Sequence, residues 1–285
     1  EVVGRIVQRL DSPVAATYIG SGKVEEVAAM VRDLEADAVI FDDDLTPSQQ
    51  QNIENRIKET KIGDRTALIL DIFALHAKSR EGKLQVELAQ MEYLLPRLRG
   101  MWRHLDVIAG GGVLTRGPGE AQLETDRRLA RKRITDLRRE LKKVASTREV
   151  QRKARSAGGS YRIALVGYTN AGKSSLLNRL TGAEVLVYDM LFATLDSTTR
   201  RFTLPEGRAV TLTDTVGFIQ KLPHGLVEAF KSTLDEVVEA DLLLHVADAS
   251  SEGLDDQMAA VKEVLDEIGA AAIPTLVVFN KIDIA

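Results

Sequence analysis

The stretch YRIALVGYTNAGKSSLLNRL, residues 161–180, decides the fold of the second half of the chain. It reads as a buried strand, a glycine loop and a helix, in that order. Residues 167–174 fit the spacing GxxxxGK[ST]. Glycines at these places let backbone N–H groups turn inward around phosphate oxygens, at a helix N-terminus that already favours anions. Lys173 is placed to reach the β- and γ-phosphates, and the Ser174 hydroxyl to hold Mg2+.

Two further motifs follow in the order that a nucleotide switch needs. VTLTDTVG, residues 210–217, is a strand ending in Asp214, which can hold Mg2+ through water, and Gly217, whose N–H can sense a γ-phosphate. TLVVFNKID, residues 275–283, is a buried strand ending in Asn280, Lys281 and Asp283. A carboxylate there accepts two N–H groups that guanine offers and adenine does not. Asn280 can bond the ring edge, and the Lys281 stem can pack on the base. The three motifs together predict a GTP site. Between the first two lies MLFATLDSTTR, residues 190–200, in which a threonine is expected to close over Mg2+ when the γ-phosphate is present. By spacing alone Thr194, Thr198 and Thr199 compete for that role, and Phe192 and Leu195 can equally be packing residues. The position after Gly217, where Ras-like enzymes carry a water-orienting glutamine, is Phe218. The catalytic group is therefore unassigned, and hydrolysis by the isolated chain is expected to be weak and raised by a partner. His245, in the apolar run LLLHVAD, reads as a core histidine. YIGSGKVEE, residues 18–26, has threonine where a phosphate loop needs its first glycine, and reads as a turn into a helix.

Working outward, the 285 residues suggest two domains. The chain has no cysteine, which excludes disulfides and thiolate metal sites and fits a reducing, cytoplasmic setting. No apolar run approaches the roughly 18 residues of a membrane span. The chain enters strand-like sequence directly at Glu1, so its natural start is expected upstream. Net charge is −4, but unevenly placed: residues 120–155 carry 13 basic and 6 acidic side chains, between two acidic stretches. Such asymmetry points to a polyanion partner.

The first 75 residues alternate in type, as an α/β unit does. Residues 2–7 read as a strand, 23–34 as a helix and 38–41 as a short buried strand; Thr46 followed by Pro47 opens a helix to about Thr60, and 66–75 is apolar and ambiguous. Leu84, Leu88, Met91, Leu95 and Leu98 are then spaced as a coiled-coil seam, and so are Leu123, Ala130, Ile134, Leu137, Leu141 and Val144. Pro96 should kink or end the first of these helices. With a loop of about twenty residues between them, the two predict an antiparallel helical hairpin with that loop at its tip. The expected organisation is an N-terminal α/β domain over 1–80, the hairpin over 81–155, a linker over 156–160 and a P-loop GTPase domain over 161–285, cut short at its C-terminus two residues after Asp283.

The tip sequence GGGVLTRGPGE, residues 110–120, lacks the Lys-Ser pair of a phosphate loop. It could be a hinge, and the basic helix beyond it a solvated face. As an RNA probe it makes fuller sense. Gly110, Gly111, Gly112, Gly117 and Gly119 allow close backbone approach, Arg116 can grip a phosphate with two bonds, and Arg127, Arg128, Arg131 and Arg138 can hold the phosphate backbone. Trp102 reads as packing at the tip.

GPGEAQLETDRR, VGYTNAGKSSL, FATLD, DTVGF, NKID and the upstream ALILDIFALHAKSREGKLQVELAQ together resemble the HflX family of ribosome-binding translational GTPases, over nearly the whole chain. The resemblance implies a Mg2+-dependent GTPase that binds the large ribosomal subunit, with the tip loop approaching the peptidyl-transferase centre, and that splits or rescues stalled ribosomes. It picks Thr194 as the Mg2+-contacting threonine, and Phe218 is shared with the family. The expected GTP-binding set is Gly167, Tyr168, Thr169, Asn170, Ala171, Gly172, Lys173, Ser174, Phe192, Ala193, Thr194, Leu195, Asp196, Asp214, Thr215, Val216, Gly217, Asn280, Lys281, Ile282 and Asp283, and the metal set is Ser174, Thr194 and Asp214. The expected partners are GTP or GDP and the large subunit, with the chain a cytoplasmic monomer. Alternatives of another class are a large-subunit assembly factor timed by nucleotide, or an ATP-driven RNA remodeller with a second nucleotide site in the N-terminal domain.

Overall fold

The structure, a computed structural model, describes residues 1–58, 60–98, 118–156, 161–182, 192, 194–220 and 231–285; side chains are described for all of these except 118–123, 147–156 and 231–233. The chain forms two compact units, Glu1–Asp71 with Gln90–Ile134, and Ile72–Ala89 with Thr135–Ala285.

In the first unit, α1 (Ser21–Asp33) precedes β1 (Ala38–Phe41), and α2 (Pro47–Glu54) precedes β2 (Lys61–Asp64). The two strands pair in parallel, Ala38 opposite Lys61 through Phe41 opposite Asp64. Val24 and Val27 of α1, Phe41, Leu45, Ile53, Ile57 and Ile62 make the core. Helix α2 starts where Thr46 and Pro47 put it. Thr46 Oγ1 accepts from Gln49 N at 3.2 Å, while the Gln49 side chain accepts from Thr46 N at 2.9 Å. This reciprocal cap satisfies two otherwise orphaned donors. Thr46→Ala is expected to cost about 1 kcal/mol of stability, read as a lower urea midpoint at unchanged slope.

Two local expectations need correction, and one open reading is resolved. Residues 2–7 form no strand, and Val2, Val3 and Val7 are exposed. β-propensity alone does not make a strand without a ladder partner, and the described ladder of this unit joins β1 only to β2. The helix opened by Pro47 ends at Glu54 rather than near Thr60, and the turn that follows brings Ile57 into the core beside Ile53. The ambiguous apolar run is a helix, α3 (Arg65–His76). Its start is fixed by Asp64, whose Oδ1 accepts from Ala67 N at 2.8 Å. Asp64 is fully buried, and its Oδ2 accepts from Arg97 Nη2 at 3.2 Å and Leu45 N at 3.2 Å. Arg97 also donates to Leu45 O, Gln50 Oε1 and Tyr93 O, so the buried pair is closed by further bonds.

Helix α4 (Arg80–Leu94) ends in a 3-10 turn, Leu95–Arg97, with Pro96 inside it. Proline lacks the N–H that would continue the ladder. The seam reading captured only part of α4: Leu84 and Leu88 are buried, but so are Glu81, Gln85, Val86 and Ala89. Burial on several faces of residues 81–89 goes beyond what a two-helix seam provides. Helix α5 (Pro118–Ser156) is long; Ile134 and Leu137 are buried on it, and Arg80 Nη2 of α4 lies 3.7 Å from Glu140 Oε2 in its middle. The helix runs into the expected linker as far as Ser156, and residues 157–160 lie outside the described residues. The tip, with Gly110, Gly111, Gly112, Arg116, Gly117 and Trp102, also lies outside them, and Gly119 falls on the opening turn of α5.

The rest of the second unit is a five-stranded sheet in the order β4-β5-β3-β6-β7. It comprises β3 (Tyr161–Val166), β4 (Thr198–Thr203), β5 (Ala209–Asp214), β6 (Leu242–Asp248) and β7 (Thr275–Asn280), with α6 (Lys173–Thr181), α7 (Lys231–Val238) and α8 (Leu254–Glu267) between strands. β4 is antiparallel to β5 and the other pairs are parallel. Leu165, Ala171, Leu177, Leu212 and Val246 form one of its cores. The C-terminal ends of β3, β5, β6 and β7 therefore lie on one side of the sheet, where open α/β sheets bind ligands.

Candidate functional site: a nucleotide cradle

Each expected nucleotide residue that the structure describes follows one of those strand ends or lies on the loop before β4. β3 runs into the glycine loop. Gly167 has φ of 149°, and a Cβ there would collide with the carbonyl oxygen of Val246 on β6, so only glycine lets the loop leave the sheet this tightly. Asn170 takes the left-handed region at φ 60°. The loop then delivers Lys173 to the first turn of α6. The Lys173 ammonium donates to Gly167 O at 3.0 Å and to Tyr168 O at 2.9 Å. Burial lowers it to a pKa of about 8, partly opposed by Asp214. Ala171 packs into the core beneath the loop.

At the end of β5, Asp214 is completely buried. Its Oδ2 accepts from Ser174 Oγ at 2.6 Å, and Thr194 Oγ1 lies 3.1 Å from the same oxygen and 2.8 Å from Ser174 Oγ. Its Oδ1 is buried without a partner. Burial raises the carboxyl, with the Ser174 hydroxyl and the Lys173 ammonium pulling against it. Of the three competing threonines, Thr194 is the one at this cluster. Thr198 opens β4, and Thr199 shares a hydrogen bond of 3.0 Å with Thr213.

The segment after Asp214 folds back along the glycine loop. Thr169 N donates to Phe218 O at 2.8 Å, and Phe218 N to Gly167 O at 3.1 Å, which sets Gly217 against Thr169 and Lys173. Thr215 and Val216 are buried, and Thr215 Oγ1 donates to Leu165 O at 2.6 Å, turning its hydroxyl to β3. Phe218 is fully buried.

At the end of β7, Asn280 Nδ2 donates to Ala171 O at 2.9 Å and so ties the loop after β7 to the glycine loop. Lys281, left-handed at φ 58°, pairs with Asp248 at 2.7 Å. Ile282 and Asp283 are exposed beyond it. His245 is buried in β6, where burial, with Lys173 adding to it, lowers its imidazole below the ordinary range.

In the loop before β4, Leu195 is buried, and Phe192 N donates to Thr169 Oγ1 at 2.8 Å. The Phe192 ring meets Phe73 of α3 edge-on at 4.7 Å between centroids. Asp196 is not aimed at the glycine loop. Its Oδ2 accepts from Lys78 N at 2.9 Å and Ser79 N at 2.7 Å, and Ser79 Oγ donates to its Oδ1. Ala193 lies outside the described residues. Phe73, Lys78 and Ser79 were not legible as neighbours of the site, since no local pattern links positions more than a hundred residues apart. On α5, Arg128, Arg131 and Arg138 are exposed and Arg127 is half-buried, with Arg131 Nη1 3.8 Å from Glu124 Oε1.

A glycine loop between a buried strand and a helix, an Asp-x-x-Gly turn on the adjacent strand and an Asn-Lys-x-Asp turn two strands away on the other side define a P-loop GTPase domain. The comparisons agree and go further. Three family models match: GTP-binding GTPase N-terminal over residues 1–74, GTP-binding GTPase Middle Region over 76–155, and 50S ribosome-binding GTPase over 162–281. GTPase HflX of Caldanaerobacter subterraneus subsp. tengcongensis is 53% identical over 284 residues, which is 100% of this chain and 66% of that protein. GTPase HflX of Flavobacterium psychrophilum is 50% identical over 283 residues, 99% of this chain and 67% of that protein. The crystal structure of SsGBP in complex with GDP superposes with a TM-score of 0.53 at 33% identity, covering 96% of this chain and 73% of that one. The chain belongs to the HflX family of GTPases, and spans about two thirds of the length of these curated relatives. Among the described residues, no helix is long and apolar enough to cross a membrane.

Proposed function

We propose that the protein hydrolyses GTP with Mg2+ and uses the nucleotide state to control its grip on the large ribosomal subunit, and through it the splitting or rescue of stalled ribosomes. The observation that carries the reading is the convergence of Ser174, Thr194 and Asp214 beside the glycine loop. Three oxygens crowd together, and the carboxylate has a second oxygen buried without a partner. That donor set is all oxygen and suits a hard divalent cation. Ser174 and Thr194 would hold Mg2+ directly and Asp214 through water; bound there, the ion neutralises charge on the β- and γ-phosphates. Lys173 would share that task. Because Thr194 belongs to a loop, its hold on the ion makes the loop sensitive to the γ-phosphate. Phe218 has no polar atom with which to orient water, so the chain needs a group from elsewhere for fast hydrolysis. The basic face of α5 and the loop before it supply the polyanion contact, with tip residues Gly110–Gly112, Arg116, Gly117 and Gly119 reaching toward the peptidyl-transferase centre.

Co-sedimentation of the full-length protein with 50S subunits tests this, run with a non-hydrolysable GTP analogue, with GDP and without nucleotide. Binding is expected to be strongest with the analogue, and 50S subunits should raise GTP turnover well over tenfold, as groups supplied in trans do. Equal binding in all three states would sink the reading. Analogue-dependent binding with intact 70S ribosomes left unsplit would favour a large-subunit assembly role.

A further inference from the structure

We propose that Asp196 latches the nucleotide-sensing loop to the start of α4, so that Ser79, in the middle region of the chain, is a positioning residue that holds Thr194 at the magnesium site. The inference rests on the nucleotide-switch reading above and adds to it a specific line of control.

The latch braces the start of α4, which Ser79 caps. Asp196 takes the N–H groups of Lys78 and Ser79 and the Ser79 hydroxyl proton, and Ser79 Oγ itself accepts from Gly82 N at 2.8 Å. A carboxylate is favoured there, because the N–H groups at a helix start lack intrahelical partners and the dipole is positive at that end. Room for the carboxylate comes from Gly82. A Cβ at this position would collide with Asp196 Oδ1. Gly82 lies inside α4, where helix propensity favours alanine. The glycine therefore costs helix stability and leaves space for Asp196.

Only Leu195, itself buried, separates Asp196 from Thr194. Consecutive Cα atoms are about 3.8 Å apart, so Thr194 cannot travel far while Asp196 is held. The other end of the loop is pinned as well. Phe192 is bonded to Thr169 of the glycine loop, meets Phe73 of α3 edge-on, and sits at φ 56°. A bulky residue stays in the left-handed region only where its surroundings hold it. Thr194 is thus strung between two anchors, one on α3 and one at the start of α4. When the γ-phosphate is bound, Thr194 is held at the ion and the latch is favoured; when Thr194 leaves, the Lys78 and Ser79 N–H groups lose their carboxylate acceptor. Coupling of this kind is reciprocal, so weakening the latch must weaken the triphosphate state.

The test uses the full-length protein and fluorescent GMPPNP and GDP with Mg2+. Ser79→Ala removes one donor; Gly82→Ala blocks the carboxylate while leaving every donor in place. Each should weaken GMPPNP binding by roughly tenfold, the effect of losing one hydrogen bond to a charged group. GDP affinity should be unchanged, and Ser79→Thr should restore GMPPNP binding. Hydrogen exchange supplies a second readout: in the wild type, the amides of Lys78 and Ser79 should exchange more slowly with GMPPNP than with GDP, and Gly82→Ala should abolish the difference. GMPPNP affinity unchanged in both folded variants overturns the latch. If the variants do not fold, the wild-type exchange decides, and equal protection in the two nucleotide states overturns it. Failure of the wild type to bind either nucleotide would instead remove the nucleotide-switch reading itself.

Discussion

Replacing Asp283 with asparagine is expected to weaken GTP binding by about a hundredfold or more and to turn preference toward xanthine nucleotide. In the proposed reading the carboxylate accepts two guanine N–H groups. Asparagine keeps one acceptor and places an NH2 against the other donor, at roughly 1–3 kcal/mol for each bond lost or mismatched. Xanthine offers a carbonyl in place of the guanine amino group, which the new NH2 can meet. The effect should be chemical and not a collapse of the loop, because the loop is held by other bonds. Asn280 is tied to Ala171, Lys281 to Asp248, and Ile284 N donates to Lys281 O at 3.2 Å. Asp283 is exposed and has no place in that scaffold. Titration of both nucleotides into the full-length protein measures the exchange of preference. GTP affinity equal to wild type would show that base choice lies elsewhere.

Changing Arg127, Arg128, Arg131 and Arg138 to glutamine should flatten the salt dependence of large-subunit binding. Each arginine on a phosphate displaces condensed counterions, so four lost contacts reduce the slope of log affinity against log salt by roughly three to four units. Over the span from about 50 to 200 mM salt, the variant should lose on the order of a hundredfold less affinity than the wild type, from a much weaker start. Folding should tolerate the change. The apolar face of α5 is carried by Ile134 and Leu137, and the exposed pair of Arg131 with Glu124, at 3.8 Å, contributes little. Nucleotide affinity should be untouched, since none of the four belongs to the glycine loop or to the turns after β5 and β7. Shortening residues 110–119 to a tight turn should act differently: binding falls modestly while splitting fails. An unchanged slope in the arginine variant would make the basic helix a solvated face, and splitting by the shortened loop would make its glycines a hinge.

The cradle was legible in the sequence because phosphate and base recognition impose fixed spacings on contiguous residues. Gly167, Lys173 and Ser174 sit on one loop, and Asn280 and Asp283 on another. The fold class was legible for the same reason, since each motif carries its own strand. Thr194 was not separable by spacing from Thr198 and Thr199, because a loop can present any of them until its ends are fixed. Those ends are fixed by Phe73 and Ser79, which no local pattern connects to residues 192–196. The start of the chain misled because the valines at 2, 3 and 7 express a propensity that needs a neighbour to be realised. Helix α3 stayed ambiguous because an apolar run shows no period, and what decides it is one carboxylate, Asp64, capping the first turn. The seam on α4 was half the truth: periodic leucines mark one buried face, and nothing in that period shows that Gln85 and Val86 are covered too.

Neither compact unit is a continuous piece of chain, since the first pauses at Asp71 and resumes at Gln90, and the second starts with Ile72–Ala89 and continues from Thr135. This interleaving has a consequence for biosynthesis. At about 5–20 residues per second, residues 72–89 are made roughly 10–40 s before the last strand of their own sheet. The first unit can close once Ile134 has emerged, but it must close around an insertion that does not belong to it. Until residue 192 is made, Phe73 lacks the Phe192 ring that it meets in the finished protein. The hazard of misassembly is therefore raised while residues 72–89 wait for the later-made parts of their own unit, before the protein has ever bound a nucleotide.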